Sequence, residues 1–288
     1  VTLRPSVATV LLIGVTAVWG WTFVVIHDAL ALYGVMAFLA VRFTLAAAIT
    51  GAIWGHRLDR ATLRVGMAIG LILAAGYLLQ TWSLRFTTAT NTGLITGLFV
   101  VLAPVIDRML YGTKLRPVAW LMVALSVIGM TLLTGRLPTE FALGDVLAFG
   151  CAVAFGAHIA VLSHAAPGRD PLAMTTAQMT SMAVLFVILW PLTETVQAPP
   201  RGVWFAIALT GVVGSAVAYA IQTAAQKVLS TVRTSLILTM EPVFAGFFGL
   251  TLAGDRLSPT QFAGGLLIIG AVVASELFAT RPADPAVE

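Results

Sequence analysis

Long apolar stretches separated by short polar loops run the length of this chain, and ten of them can be marked off. They cover residues 7–27, 33–54, 63–84, 92–111, 117–135, 141–163, 171–192, 203–223, 231–252 and 259–279. Each is close to the ~20 residues a helix needs to cross the hydrocarbon of a bilayer. A barrel strand is about half as long and alternates polar with apolar residues. These stretches do not alternate, so the pattern predicts an all-α membrane protein with ten transmembrane helices. The short loops make sequential helices antiparallel neighbours.

The second five stretches repeat the first five. Trp19-Gly20 and Phe155-Gly156 share an offset with Arg42 and Gln178. Tyr77, Gln80 and Thr81 recur as Tyr219, Gln222 and Thr223. Pro104 is read as the counterpart of Pro242, and Leu115-Arg116-Pro117 as that of Leu257-Ser258-Pro259. An odd number of spans per repeat inverts the second half relative to the first. The expected organisation is two inverted five-helix repeats, residues 1–137 and 138–288, a recurring basis for alternating access.

Composition narrows the setting to lipid. Hydrophobic residues make up 59% of the chain and charged residues 10%, with a mean hydropathy of +0.98. Soluble domains are about 25% charged. The net charge of +4 does not point to nucleic acid, because the basic residues sit in loops between apolar stretches. Eleven of them (Arg4, Arg57, Arg60, Arg64, Arg108, Lys114, Arg116, Arg169, Lys227, Arg233, Arg281) fall on the side that holds both termini. Four (Arg85, Arg136, Arg201, Arg256) fall on the other. That bias predicts cytoplasmic termini and a multi-pass protein of the cell (inner) membrane. The run from residue 7 is read as a permanent first span, and 281–288 as a disordered tail. Cys151 reads as a packing residue. The glycine pairs Gly51/Gly55, Gly66/Gly70 and Gly93/Gly97 predict close helix contacts.

Polar residues inside the spans carry the candidate chemistry. Arg42 is the only basic residue in mid-span, and it stays charged at any accessible pH. It either clamps a substrate carboxylate or is tied into a fixed ion pair. Glu241 is its candidate partner and a candidate proton carrier. Pro242 removes a donor from the carbonyl of Leu238, as Pro104 does for Val100, so both prolines are candidate hinges. Trp19 (with Trp21 and Phe23), Tyr77, Gln80, Asn91, His158, Gln178, Tyr219 and Gln222 are candidates to line a substrate cavity. Interhelical hydrogen bonding is the alternative for each. Asp107-Arg108 reads as a local ion pair or a snorkelling pair. His27, Asp28, His56, His164 and Glu276 read as solvated span ends.

There is no phosphate-binding loop of the Walker type and no His-Glu-x-x-His run. A secondary or facilitative transporter of small polar or amphipathic molecules is favoured over an intramembrane enzyme or a channel. No metal, cofactor or nucleic-acid partner is expected. The expected partners are a small-molecule substrate, the lipid bilayer and a coupling proton.

The run Leu79-Gln80-Thr81 through Thr87-Thr88-Ala89, then 93–104 ending in Ala103-Pro104, resembles the first half of an EamA-type transporter. Glu241-Pro242-Val243-Phe244 and Gly254-Asp255-Arg256-Leu257-Ser258-Pro259 resemble the end of its second repeat, and Trp19-Gly20 and Arg42 also match. The resemblance covers nearly the whole chain. It implies the drug/metabolite transporter superfamily: a ten-helix carrier with a cavity between its repeats, exporting amino acids or drug-like compounds. A lipid or nucleotide-sugar carrier on the same fold is the alternative it leaves open. The family's Gly-Glu-Arg reads Gly112-Thr113-Lys114 and Gly254-Asp255-Arg256 here, so the loop acid is absent from the first half.

Overall fold

The computed structural model describes residues 3–83, 86, 92, 95–114, 116–134, 143–253 and 256–279. Asn91, Gly93 and Gly254-Asp255, and the side chains of Phe23, His27, Asp28 and Glu276, lie outside what it describes. Among the described residues the secondary structure is helical throughout, without strands. The helices are α1 (Pro5–Leu32), α2 (Val35–Trp54), α3 (Arg60–Ser83), α4 (Phe99–Tyr111), α5 (Pro117–Thr134), α6 (Leu143–Ala165) and α7 (Pro171–Thr193). They continue with α8 (Arg201–Ala225), α9 (Thr231–Leu252) and α10 (Pro259–Ala279).

Seven of these are long and apolar enough to cross a membrane. The apolar parts of α5 and α10 are shorter, Pro117–Leu133 and Pro259–Ser275, and before α4 a turn at Gly97-Leu98 separates Phe99 from the helical residues Ile95 and Thr96. Large apolar side chains such as Val10, Met109, Leu192, Phe205 and Leu277 lie exposed on the outer faces. Lipid accepts them without cost, whereas the helical backbone satisfies its own polar groups.

Helix ends follow local chemistry. Pro5 and Pro171 occupy first turns, where a missing N–H costs nothing. The Asp170 carboxylate accepts from the N–H groups of Leu172 and Ala173 at 2.9 and 3.1 Å and caps α7. Asp59 does the same for α3 through Ala61, Thr62 and the Thr62 hydroxyl. Gly112 closes α4 in the left-handed region at φ 71°, which a side chain would strain. Ser258 and Gln261 exchange hydrogen bonds at the start of α10, a reciprocal cap.

The closest packing joins α2 to α7, α5 to α10, α3 to α6 and α7, α4 to α6, and α1 to α9. The α2–α7 pair is antiparallel and fastened at both ends. At one end the Glu194 carboxylate, just past α7, accepts from Met36 N–H at 3.2 Å and Ala37 N–H at 3.1 Å. At the other, Arg57 meets Asp170 at 3.2 Å, and the Thr176 hydroxyl donates to the Thr50 carbonyl at 3.2 Å. Phe43 and Phe186 stack between them, centroids 5.5 Å apart.

Gly66 and Gly70 lie against the backbone of α7, as expected of a small-residue pair. Gly51 and Gly55 do not mark a contact: a side chain at either would meet open space. Spacing alone does not say which face of a helix turns inward.

Two helices depart from regular geometry. In α8 the α-helical segments Trp204–Ala208 and Ala218–Ala225 flank a π-helical stretch, Leu209–Val217. In α9 the α-helix stops at Leu238 and resumes at Met240. The break at Thr239 lies three residues before Pro242, where the ring removes the donor that Leu238 would have used.

Candidate functional site

Arg42 lies midway along α2, where that helix passes the π-helical stretch of α8. Its side chain is buried. Nε donates to the Ser215 hydroxyl at 2.9 Å. The guanidinium carbon stands 5.1 Å from the Phe43 ring centroid and 5.3 Å from that of Tyr77. Aromatic faces attract a cation, so the charge is held entirely on neutral partners. Among the described residues Arg42 makes no other hydrogen bond, and no ion pair within 4.0 Å joins it to Glu241.

Glu241 stands on α9 just beyond the break at Thr239 and is partly exposed. It has no hydrogen-bond partner among the described residues. No ion pair therefore neutralises these two groups against each other.

Beside Arg42 lies an aromatic centre. The hydroxyls of Tyr77 and Tyr219 meet at 2.9 Å. Trp19 packs on Tyr219 with centroids 5.4 Å apart, and Phe155 on Tyr77 at 5.6 Å. The Trp19 indole N–H donates to the Gly214 carbonyl at 2.8 Å. Trp21 points elsewhere, to Phe248.

On the far side of Tyr219, His158 Nε2 meets the Gln178 amide oxygen at 2.8 Å. The Gln178 amide nitrogen donates to the Thr223 hydroxyl at 3.3 Å, and the His158 ring stands edge-on to Tyr219 at 6.1 Å. The structure thus brings Trp19, Arg42, Tyr77, His158, Gln178 and Tyr219 into one connected group. Gln222 is outside it: its amide donates to Gln226, which in turn donates to the Ile159 carbonyl and Ser163 and ties α8 to α6. Gln80 is partly exposed and makes no side-chain hydrogen bond among the described residues.

Two sequence expectations need correction. Pro104 and Pro242 do not occupy matching places. Gly20 of α1 packs against Phe244 and Ala245, and Gly156 of α6 packs against Leu102 and Ala103. With Gly20 and Gly156 as counterparts, Phe244 answers to Leu102, and the counterpart of Pro104 is Gly246, one turn beyond Pro242. Asp107 does not pair with Arg108: its buried carboxylate meets His164 Nε2 at 2.6 Å, and the imidazole stacks on Tyr111 at 3.7 Å. His164 is accordingly an exposed span end, as expected, but one whose imidazole is paired and links α4 to α6.

Sequence reading missed Ser215 and the role of Phe155. A serine in an apolar helix carries no periodic signal, and Phe155 stood out only as the counterpart of Trp19.

Comparison with known proteins places this geometry. A model of the EamA-like transporter family matches residues 6–135 and again residues 142–276. A protein of Archaeoglobus fulgidus named as an uncharacterized transporter is 32% identical over 259 residues, covering 90% of this chain and 82% of that one. A solved crystal structure superimposes with a TM-score of 0.79, covering 95% of this chain and 98% of the other at 20% identity. That last likeness speaks for the fold alone. With two family matches that together span most of its length, the chain belongs to the EamA-like transporter family and is a multi-pass membrane transporter.

Proposed function

We propose that the protein is a secondary active or facilitative exporter of small metabolites, amino acids or drug-like compounds, working by alternating access. In this reading all ten helices cross the membrane as two inverted halves, residues 1–137 and 138–288, with both termini in the cytoplasm. The two family matches, 6–135 and 142–276, support that division. So does the packing, whose main contacts recur when each helix is exchanged for the one five places on. The α3–α6 contact becomes α8–α1, α4–α6 becomes α9–α1, and α3–α7 becomes α8–α2, while α2–α7 and α5–α10 map onto themselves.

The observation that carries the reading is the state of Arg42. A cation buried in mid-membrane is retained where it has work to do. This one rests on a hydroxyl and two ring faces, and its terminal nitrogens have no hydrogen-bond partner among the described residues. A substrate carboxylate supplies the anion it lacks. Glu241, which makes no ion pair with Arg42, is assigned the complementary role: it receives a substrate cation or carries the coupling proton.

The test is transport by the purified protein in proteoliposomes, using labelled amino acids and related carboxylates with and without an imposed pH gradient. At least one carboxylate-bearing compound is expected to cross, faster with the gradient. Failure of every such compound, with a neutral or phosphorylated solute crossing instead, would sink the proposal.

A further inference from the structure

The π-helical stretch of α8 sits where the two halves of the chain differ. In α3, Gly70 packs on Gln178 and Ser181 of α7; in α8, Gly211 packs on Arg42 and Leu45 of α2. Gln178 and Ser181 follow Arg42 and Leu45 by the same interval, so Gly70 and Gly211 are packing counterparts. Tyr77 and Tyr219 are counterparts too, through their mutual bond and their matching contacts with Phe155 and Trp19. Yet Tyr77 is the seventh residue after Gly70, and Tyr219 is the eighth after Gly211. One extra residue lies in α8 between two fixed points.

A helix takes up a single extra residue as a π-bulge. The bulge Leu209–Val217 falls over that interval, while α3 remains α-helical there. Two groups inside it make contacts that α3 lacks. The Gly214 carbonyl accepts from the Trp19 indole at 2.8 Å, and the Ser215 hydroxyl accepts from Arg42 Nε at 2.9 Å. The corresponding stretch of α3, residues 71–76, has only apolar side chains and glycine. Gln178, the counterpart of Arg42, takes its partners from α6, α7 and α8 instead.

We propose that the extra residue in α8 makes the binding site one-sided, with Ser215 as a positioning residue that fixes the direction of the Arg42 guanidinium. In the absence of the bulge, α8 would present an apolar surface to Arg42, as α3 does to Gln178. Held at Nε by Ser215 and set over the Phe43 and Tyr77 rings, the guanidinium aims its two terminal nitrogens toward a ligand. Trp19 is fixed by the same bulge, so cation and indole keep a constant relation. This proposal rests on the reading of Arg42 as the substrate's anion site.

The experiment uses the full-length purified transporter and phenylglyoxal, a small arginine reagent, with modification of Arg42 quantified by peptide mass. Loss of a charged hydrogen bond frees the side chain by a factor of about ten. Ser215→Ala should therefore raise the rate of Arg42 modification about tenfold, with the protein still folded at the assay temperature. Ser215→Thr, which keeps the hydroxyl, should restore the slow rate. Deleting Val213 should make α8 as regular as α3 and raise the rate at least as far. If that deletion does not fold, the Ala and Thr variants decide alone. Equal Arg42 reactivity in the parent, Ser215→Ala and Ser215→Thr overturns the proposal. Full transport by Arg42→Ala would instead overturn the underlying site reading, so the two failures are distinguishable.

Discussion

Tyr77 and Tyr219 join hydroxyl to hydroxyl at 2.9 Å, each from the helix that is the other's counterpart. Each ring also leans on the aromatic residue of the opposite half, Tyr77 on Phe155 and Tyr219 on Trp19. The bond links α3 to α8 beside the Arg42 guanidinium, which lies over the Tyr77 ring. A change at this pair is therefore felt at the candidate site.

The pair should be coupled. Either Tyr→Phe change leaves one hydroxyl without its partner, whereas changing both leaves none. Each single variant is expected to cost about 1 kcal/mol, and the double variant less than the sum, with a coupling of about 1 kcal/mol. Thermal unfolding in detergent of the four proteins of the cycle measures it, and strict additivity would remove the bond from the account.

Arg42→Lys keeps the charge and loses both the planar fork and the Nε bond. Transport should fall about tenfold, the value of one charged hydrogen bond, while the amount of folded protein in the membrane stays near normal. Arg42→Ala should abolish transport. If Arg42 is instead a structural tie, Ala should deplete folded protein and Lys should behave like the parent.

Glu241→Gln separates the two roles assigned to that carboxylate. As proton carrier, its loss should end the response to an imposed pH gradient and leave substrate exchange intact. As a partner of the substrate cation, its loss should weaken exchange as well. Gradient-driven transport at full rate in Glu241→Gln would contradict both.

Asp170, outside the spans, links stability to pH. Partial burial works to raise its pKa, but the N–H groups of Ala173 and Leu172 and the Arg57 guanidinium outweigh it, and the net shift is downward. A lowered folded-state pKa means the cap contributes fully above the unfolded value of 3.8 and is lost as pH falls through the folded one. Asp170→Ala should cost about 1 kcal/mol at neutral pH. Asp170→Asn should retain most of the cap, and the deficit of Asp170→Ala should shrink in acid; a deficit independent of pH would exclude the carboxylate as its source.

Topology can be read by labelling. With Cys151→Ala as background, single cysteines replace Ser6 and Thr139. A membrane-impermeant thiol reagent added to intact cells should reach position 139 and spare position 6. The reverse pattern would invert the assigned orientation.

Helix positions were legible in the sequence because burial in lipid demands length and apolarity, and both are written in the composition of each stretch. Arg42 was legible for the same reason, as a charge where none belongs. Its partners were not. Ser215 is ordinary in an apolar helix and reaches Arg42 only through packing between α2 and α8, and the Tyr77 ring comes to it only through the fold. The His164–Asp107 pair joins residues far apart in sequence, so each looked like a separate span end. The prolines misled because two Pro-Val pairs align by eye, while helix register is set by where Gly20 and Gly156 let backbones touch. Helix α1 also runs past residue 27 to Leu32, since nothing in His27-Asp28-Ala29-Leu30 breaks a helix.

Glu194 grips the start of α2 at one face of the molecule, and Arg57 with Thr176 grips its other end through α7. A pair of rods pinned at both tips cannot slip lengthwise without releasing a pin. On the proposed alternating-access reading, this strut serves as the axle about which the other helices turn, and opening on one side of it entails closing on the other. Two small clasps, remote from Arg42, then hold the axle in register.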